Sequence, residues 1–237
     1  MDKFSHLSYL SSFWGVLQDD ANTVALILKN HEHIERLASS LIDLVMTVDG
    51  IRVVRAFIRR RPTKAYLRKH ELNEVKYYEY HYASFLHRVH TIVEVMKLVA
   101  NYAFSINLSA RDCKWENLKV SEDFANSTMR RVIDSCYVKL NVHIQLRHLS
   151  THRGNIQNTA MGSLDAELSA RDRWTDPAEL SKQPEEIQRY FHPVHVRHRV
   201  ELFKKDLLKE IDDTEQVVLG HLRRFLRSLK QTERFPR

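Results

Sequence analysis

The sequence predicts an all-α protein, a single helical bundle of long antiparallel helices with an extra N-terminal helical segment. Three observations predict it. Only five glycines and five prolines punctuate 237 residues, too few for the turns that a sheet-rich chain needs. Apolar residues recur at steps of three and four over several long windows, the period of an amphipathic helix. A content of 43% hydrophobic and 28% charged residues is that of a globular domain with enough apolar surface to bury a core.

Residues 1 to 18 are aromatic and Ser-rich, and Asp19, Asp20, Asn22 and Thr23 then offer N-cap candidates, so a first helix is expected from about 22 to 47. Gly50 reads as a break. Beyond it Ile51, Val54, Phe57 and Ile58 alternate with Arg52, Arg55 and Arg59 at helical spacing until Pro62 stops the run. From about 74 to 107 the apolar series Tyr78, Tyr82, Phe85, Val89, Ile92, Met96 and Val99 continues without Gly or Pro, which predicts a core helix. Residues 109 to 119 read as a loop around Trp115. Ser121 is expected to cap another long helix through Met129, Ile133, Cys136, Leu140 and Ile144, with Gly154 as the left-handed residue that ends it. Residues 153 to 184 are polar and irregular and are assigned no structure. A last helix is expected from about 195 to 230 through Val200, Phe203, Leu207, Ile211, Val218, Leu222 and Phe225. The organisation expected is an N-terminal helical segment (1–73) carrying a basic helix, joined to a bundle (74–237) as one continuous domain.

There is no basic-then-apolar leader and no uncharged apolar run long enough to span a bilayer, so neither secretion nor a membrane partner is expected. Two cysteines, Cys113 and Cys136, are too few for a zinc ribbon or a disulfide framework and suit a reducing cytoplasm as core thiols. The formal charge is +7, and its placement matters more than its size. Arg52, Arg55, Arg59, Arg60, Arg61, Lys64, Arg68 and Lys69 fall between residues 50 and 70 with no acid among them. Such a patch attracts a polyanion, nucleic acid first, although a solvated helix face has the same composition.

The stretch His-Ile-Gln-Leu-Arg-His-Leu-Ser-Thr-His-Arg-Gly, residues 143 to 154, carries the candidate chemistry. Arg147 and His152 stand in an Arg-x4-His spacing. With 23 arginines and 14 histidines in the chain, about one such pair is expected by chance, so the spacing gains weight only from its position near the end of a long amphipathic helix. His148, a polar residue, follows the arginine. In this form, and in its layout of a long aromatic-rich helix, a loop around a Trp and a second long helix bearing the motif, the chain resembles the HEPN superfamily over roughly residues 74 to 230. The name denotes a nucleotide-binding domain of higher eukaryotes and prokaryotes, and its members are helical bundles, many of them RNases in toxin and antiviral systems.

The resemblance implies a metal-independent endoribonuclease. The RNA 2′-OH would attack the adjacent phosphate, His152 would serve as acid or base, and Arg147 would clamp the phosphate oxygens. Arg147 and His152 lie about 140° apart around one helix and roughly 7.5 Å apart along it, so a single helix does not bring them to one point. HEPN proteins dimerise so that the motifs of two subunits face each other, and a homodimer is therefore expected here. His148 and His143 would line the site, and Glu94, on the facing helix, is a candidate buried carboxylate to orient His152. The family also implies a possible neutralising protein partner. No cofactor is expected.

His87, His90 and Glu94 share neighbouring helical positions, as metal ligands can, but the Glu-x-x-His and His-Glu-x-x-His patterns of metal bundles and proteases are missing. His192, His195 and His198 are similarly spaced around Pro193, which reads as a helix start, and Arg189 with His195 is a looser competitor of the main motif. The chain has no Gly-rich phosphate loop, nucleophile elbow or kinase signature. A second class of function therefore stands beside the nuclease: a non-catalytic helical module that docks nucleic acid or an acidic protein through its basic helix.

Overall fold

The computed structural model describes the backbone of residues 31–153, 163–169 and 180–230, and the side chains of 34–150, 163–169 and 180–230. It is all-α, with no strand among the described residues. The helices are α1 (His31–Arg59), α2 (Lys64–Lys69), α3 (Glu74–Ala103), α4 (Trp115–Leu118), α5 (Glu122–Ala125), α6 (Thr128–Arg153), α7 (163–169), α8 (Glu185–Tyr190) and α9 (Pro193–Lys230).

Four long helices, α1, α3, α6 and α9, pack in a ring in which each touches the next. Their directions follow from the pairs that meet. Phe57 stacks on His81 while Gly50, seven residues earlier, faces Arg88, so α1 and α3 are antiparallel. Ser135 meets His221 and His143 meets Thr214, so α6 opposes α9. Arg52 pairs with Glu215 and Arg55 with Asp212, so α9 also opposes α1. One apolar core runs through all four, from Leu37, Leu44 and Ile51 through Tyr82, Phe85 and Val89 to Cys136, Leu140, Ile211 and Phe225. The helix faces chosen for burial are those of the apolar periodicity, because only those stripes exchange water for close-packed neighbours.

Polar side chains satisfy the first amides where α2 and α3 begin. Asn73 accepts from the Lys76 amide at 2.9 Å to start α3, and Thr63 accepts from the Tyr66 amide at 3.1 Å to start α2. After α3 the chain turns through Ser105 and Asn107, both with positive φ, and Asn101 holds the turn by bonding Leu108 through both its amide nitrogen and its carbonyl oxygen.

Several expectations need correction. Gly50 does not break a helix: α1 runs through it from His31 to Arg59. A Cβ there would lie 2.0 Å from Arg88 Nη1, so the missing side chain makes room for an arginine of the next helix. α1 is a wall of the bundle, and its Leu37, Leu44 and Ile51 lie in the same core as α3, α6 and α9. The loop around Trp115 contains the turn α4, and Ser121 caps only the short α5. The long motif helix opens at Thr128, where the Ser127 hydroxyl accepts from the Arg130 amide at 3.1 Å. Part of the stretch read as irregular is helical: α7 buries Leu164 and Leu168 and ties to the bundle through Asn73–Asp165 and Arg199–Glu167. The last helix starts at Pro193, the residue read as a helix start, two residues ahead of the apolar run expected from about 195. Residues 22 to 30, the Gly154 stop, and residues 155 to 162 and 170 to 179 lie outside the described residues.

Candidate functional site

The C-terminal half of α6 buries Leu140 and Ile144 against the core, and this fixes the rotation of the helix and hence the direction of every polar side chain on its last turns. Arg147 is directed toward α3. Its Nε donates to His87 Nδ1 at 3.5 Å, and its Nη1 lies 3.4 Å from His148 Nδ1. His148 in turn meets His90 edge to face, with ring centroids 5.5 Å apart. Two residues of the motif helix and two of α3 thus form one cluster of three imidazoles and a guanidinium at the α3–α6 seam.

His90 has its imidazole value held below the ordinary histidine range, first by burial and then by the positive charge of Arg147, His148 and Lys97, against the opposing pull of Glu94. A neutral ring is therefore favoured there at neutral pH, a form able to accept a proton. Glu94 is not the buried carboxylate expected: its side chain is 44% exposed, and its carboxylate is 2.8 Å from Lys97 and 3.8 Å from His90. The His152 backbone continues α6 one turn beyond His148, and its side chain lies outside the described residues.

His143 shares a helix stripe with Arg147 but goes elsewhere. It enters the junction of α3, α6 and α9, edge-on to Phe85, with Nε2 3.2 Å from Thr214 Oγ1 and 3.1 Å from Glu210 Oε1. Tyr82 donates to the same Glu210 oxygen at 2.6 Å. Burial alone would push the Glu210 carboxyl up, yet the hydrogen bonds from His143 and Tyr82 outweigh it and leave the group below the ordinary carboxylate value. The same bond, added to burial, drives the Tyr82 phenol well above its usual range. A groove of about 440 Å³ opens beside this chain, lined by Lys139, His143, Lys209, Glu210, Asp213 and Thr214. Nothing local announces it, because Tyr82, His143 and Glu210 come from three helices.

The basic stretch divides into two parts. Arg52 and Arg55 converge on the buried Glu215 at 2.9 and 2.8 Å, Arg55 also bonds Asp212 at 2.8 Å, and Arg59 lies 3.8 Å from Asp212. Arg61 bonds Glu74 at 2.7 Å. Four of the eight cations expected to contact nucleic acid are thus engaged with acids of α9 and α3, Arg52 and Arg55 most firmly because the buried Glu215 left unpaired would cost more than the pairing. Arg60, Lys64, Arg68 and Lys69 are exposed and have no ion-pair partner among the described residues.

No group of three His, Cys, Asp or Glu is arranged to hold a metal ion among the described residues, and His87, His90 and Glu94 are engaged with Arg147, His148 and Lys97 instead. No described helix is long and apolar enough to cross a membrane. Burial raises the Cys113 thiol to about 11 and the Cys136 thiol to about 12, which makes both poor nucleophiles. Comparison with known proteins finds no family model, no curated protein and no solved structure that matches this chain.

Proposed function

We propose that this chain is a HEPN-like, metal-independent endoribonuclease that acts as a homodimer, with Arg147 and His152 as its catalytic pair. The observation that carries the reading is the cluster in which Arg147 stands against His87 and His148, with His90 behind them. In the reaction the 2′-oxygen bonds to phosphorus as a base takes its proton. The bond from phosphorus to the 5′-oxygen then breaks as an acid supplies a proton to the leaving oxygen. The products are a 2′,3′-cyclic phosphate and a 5′-hydroxyl. Arg147 supplies lasting positive charge for the crowded phosphorane, and imidazoles near neutrality supply the proton transfers.

The dimer has its own support in the outward stripe of α6. Val138 and Val142 are 70% and 67% exposed, and Leu149 continues the stripe toward His152. Pairing this stripe with its copy about a two-fold axis removes apolar surface from water and brings a second motif to the first. Toxin or antiviral defence work in the cytoplasm, restrained by a neutralising partner, is the setting that fits such an enzyme.

The test is cleavage of RNA by the purified chain in EDTA, with end-group analysis. Cyclic phosphate ends are expected, with activity lost by about a hundredfold or more in Arg147→Ala and His152→Ala variants of unchanged circular dichroism. Undiminished cleavage in both variants sinks the proposal. The second reading, a non-catalytic binding module, draws on the four exposed cations of the α1–α2 corner. Salt-dependent RNA binding with no cleavage would favour it.

A further inference from the structure

At the corner where α1, α2 and α3 meet, aromatic rings from all three elements gather at the surface. Phe57 of α1 lies flat on His81 of α3, with centroids 4.8 Å apart and planes 4° from parallel. Tyr77 meets His81 edge-on at 4.5 Å and Tyr66 of α2 at 6.1 Å, and Tyr66 in turn packs on His70 at 4.6 Å. Tyr80 completes the group 5.4 Å from His81. The buried Tyr77 anchors the set by donating to the Phe57 carbonyl at 3.2 Å. Above it Phe57 and Tyr66 are exposed and Tyr80 is 70% exposed. These rings are held in place yet left open to water, which a core has no use for.

Beside them in the chain stand four exposed cations, Arg60 just beyond α1 and Lys64, Arg68 and Lys69 on α2, with no ion-pair partner among the described residues. The acids nearest in sequence are Glu71, beyond α2, Glu74, which Arg61 already holds, and Glu79, which precedes Tyr80 and interacts with Asp165 of α7. We infer that this corner is a binding site for single-stranded nucleic acid, in which bases stack on the exposed rings and the four cations take the phosphates. Open π-faces separate this from a purely ionic surface: a duplex keeps its bases stacked inside and offers only phosphates, whereas a single strand offers both. The cations and the open rings also favour a nucleic acid over an apolar protein face, which would leave the charges unused.

The corner is continuous with the Arg147 cluster. Tyr80 and His87 are two turns apart on α3, about 10 Å along the helix and about 20° around it, and His87 is the Arg147 partner. A strand stacked on Tyr80 therefore lies on the same outer face of α3 as that cluster. The binding itself does not depend on the proposed cleavage, and the test keeps the two apart.

Anisotropy of a short labelled 2′-O-methyl oligonucleotide, which has no free 2′-OH to attack its phosphate, reads binding alone, with the matched duplex as comparison. The single strand is expected to bind at least tenfold more tightly than the duplex. Tyr80→Ala is expected to weaken it about tenfold, with Tyr80→Phe restoring it. A Lys64→Gln, Arg68→Gln double variant is expected to reduce the salt slope by about 1.4. Cleavage of ordinary RNA is followed in parallel with Arg147→Ala: loss of cleavage with intact binding of the uncleavable strand supports the site by itself. Equal affinity for duplex and single strand, no effect of Tyr80→Ala in a folded protein, or displacement by polyglutamate with equal potency in wild type and Tyr80→Ala would each overturn the inference.

Discussion

At the scale of single residues, His81 and His90 connect the fold to pH. Burial lowers His81 below the ordinary value of 6.5, and burial followed by its charged neighbours does the same to His90. His90 faces Glu94 and Lys97 on its own helix and Arg147 and His148 on α6. The folded chain thus holds both rings neutral where the unfolded chain binds protons. Their stabilising contribution is complete above about pH 6.5 and is lost as pH falls from there through the depressed folded values. Glu79, pushed up by burial and by Asp165, works in the opposite direction, and the depressed Glu210 adds its loss only below about 4.5. The melting temperature is expected to fall between about pH 7 and pH 5 and to fall less steeply in a His81→Gln, His90→Gln variant. Parallel melting curves for both proteins across that range would remove this assignment. His90 was legible in the sequence only as a weak metal candidate; its partner on α6 is 58 positions away and no spacing rule connects them.

At the scale of elements, the long helices follow the apolar periodicity, while their ends and interruptions depend on neighbours. The start of α3 near residue 74 was readable because one unbroken stripe specifies it, while its end at Ala103 comes four residues before the expected 107, where Asn101 holds the turn. Gly50 misled because a glycine that breaks a helix and one that admits a neighbour look alike in sequence. Removing the helix penalty of glycine is worth about 1 kcal/mol, and the group a Cβ would meet is the tip of a flexible arginine, which can swing away. Gly50→Ala is therefore expected to change stability little in the native background and to stabilise by about 1 kcal/mol when introduced into Arg88→Ala. Urea midpoints of the four proteins check this. A loss of several kcal/mol from Gly50→Ala in both backgrounds would mean that α1 and α3 themselves, rather than Arg88, occupy the space.

At the scale of the whole molecule, the bundle spends part of its charge on itself. The Arg52–Glu215–Arg55 set joins helices more than 150 positions apart in the chain, and the cations of the basic stretch left without an ion pair among the described residues are those of the α1–α2 corner. What leaves the bundle unfinished is the outer stripe of α6 at Val138, Val142 and Leu149. A charge at its centre tests the proposed dimer: Val142→Asp, placed on an exposed position, is expected to leave the fold intact, to halve the mass in light scattering and to reduce RNA cleavage together with dimer content. A wild-type monomer that cleaves at full rate would remove the two-subunit cleft from the mechanism.

The sequence by itself determined the class and the helical stripes, because a 3.6-residue period is a short-range property written along each helix. It also located Arg147 near the end of a core helix, beside a polar histidine. Only the tertiary structure decided which stripes meet: that His143 joins Glu210 and Tyr82 instead of the motif, that His87 and His90 come to Arg147 and His148, and that four arginines of the basic stretch meet acids of α9 and α3. Those pairings depend on the rotation and crossing of whole helices, which the packing of the shared core sets and no local pattern records.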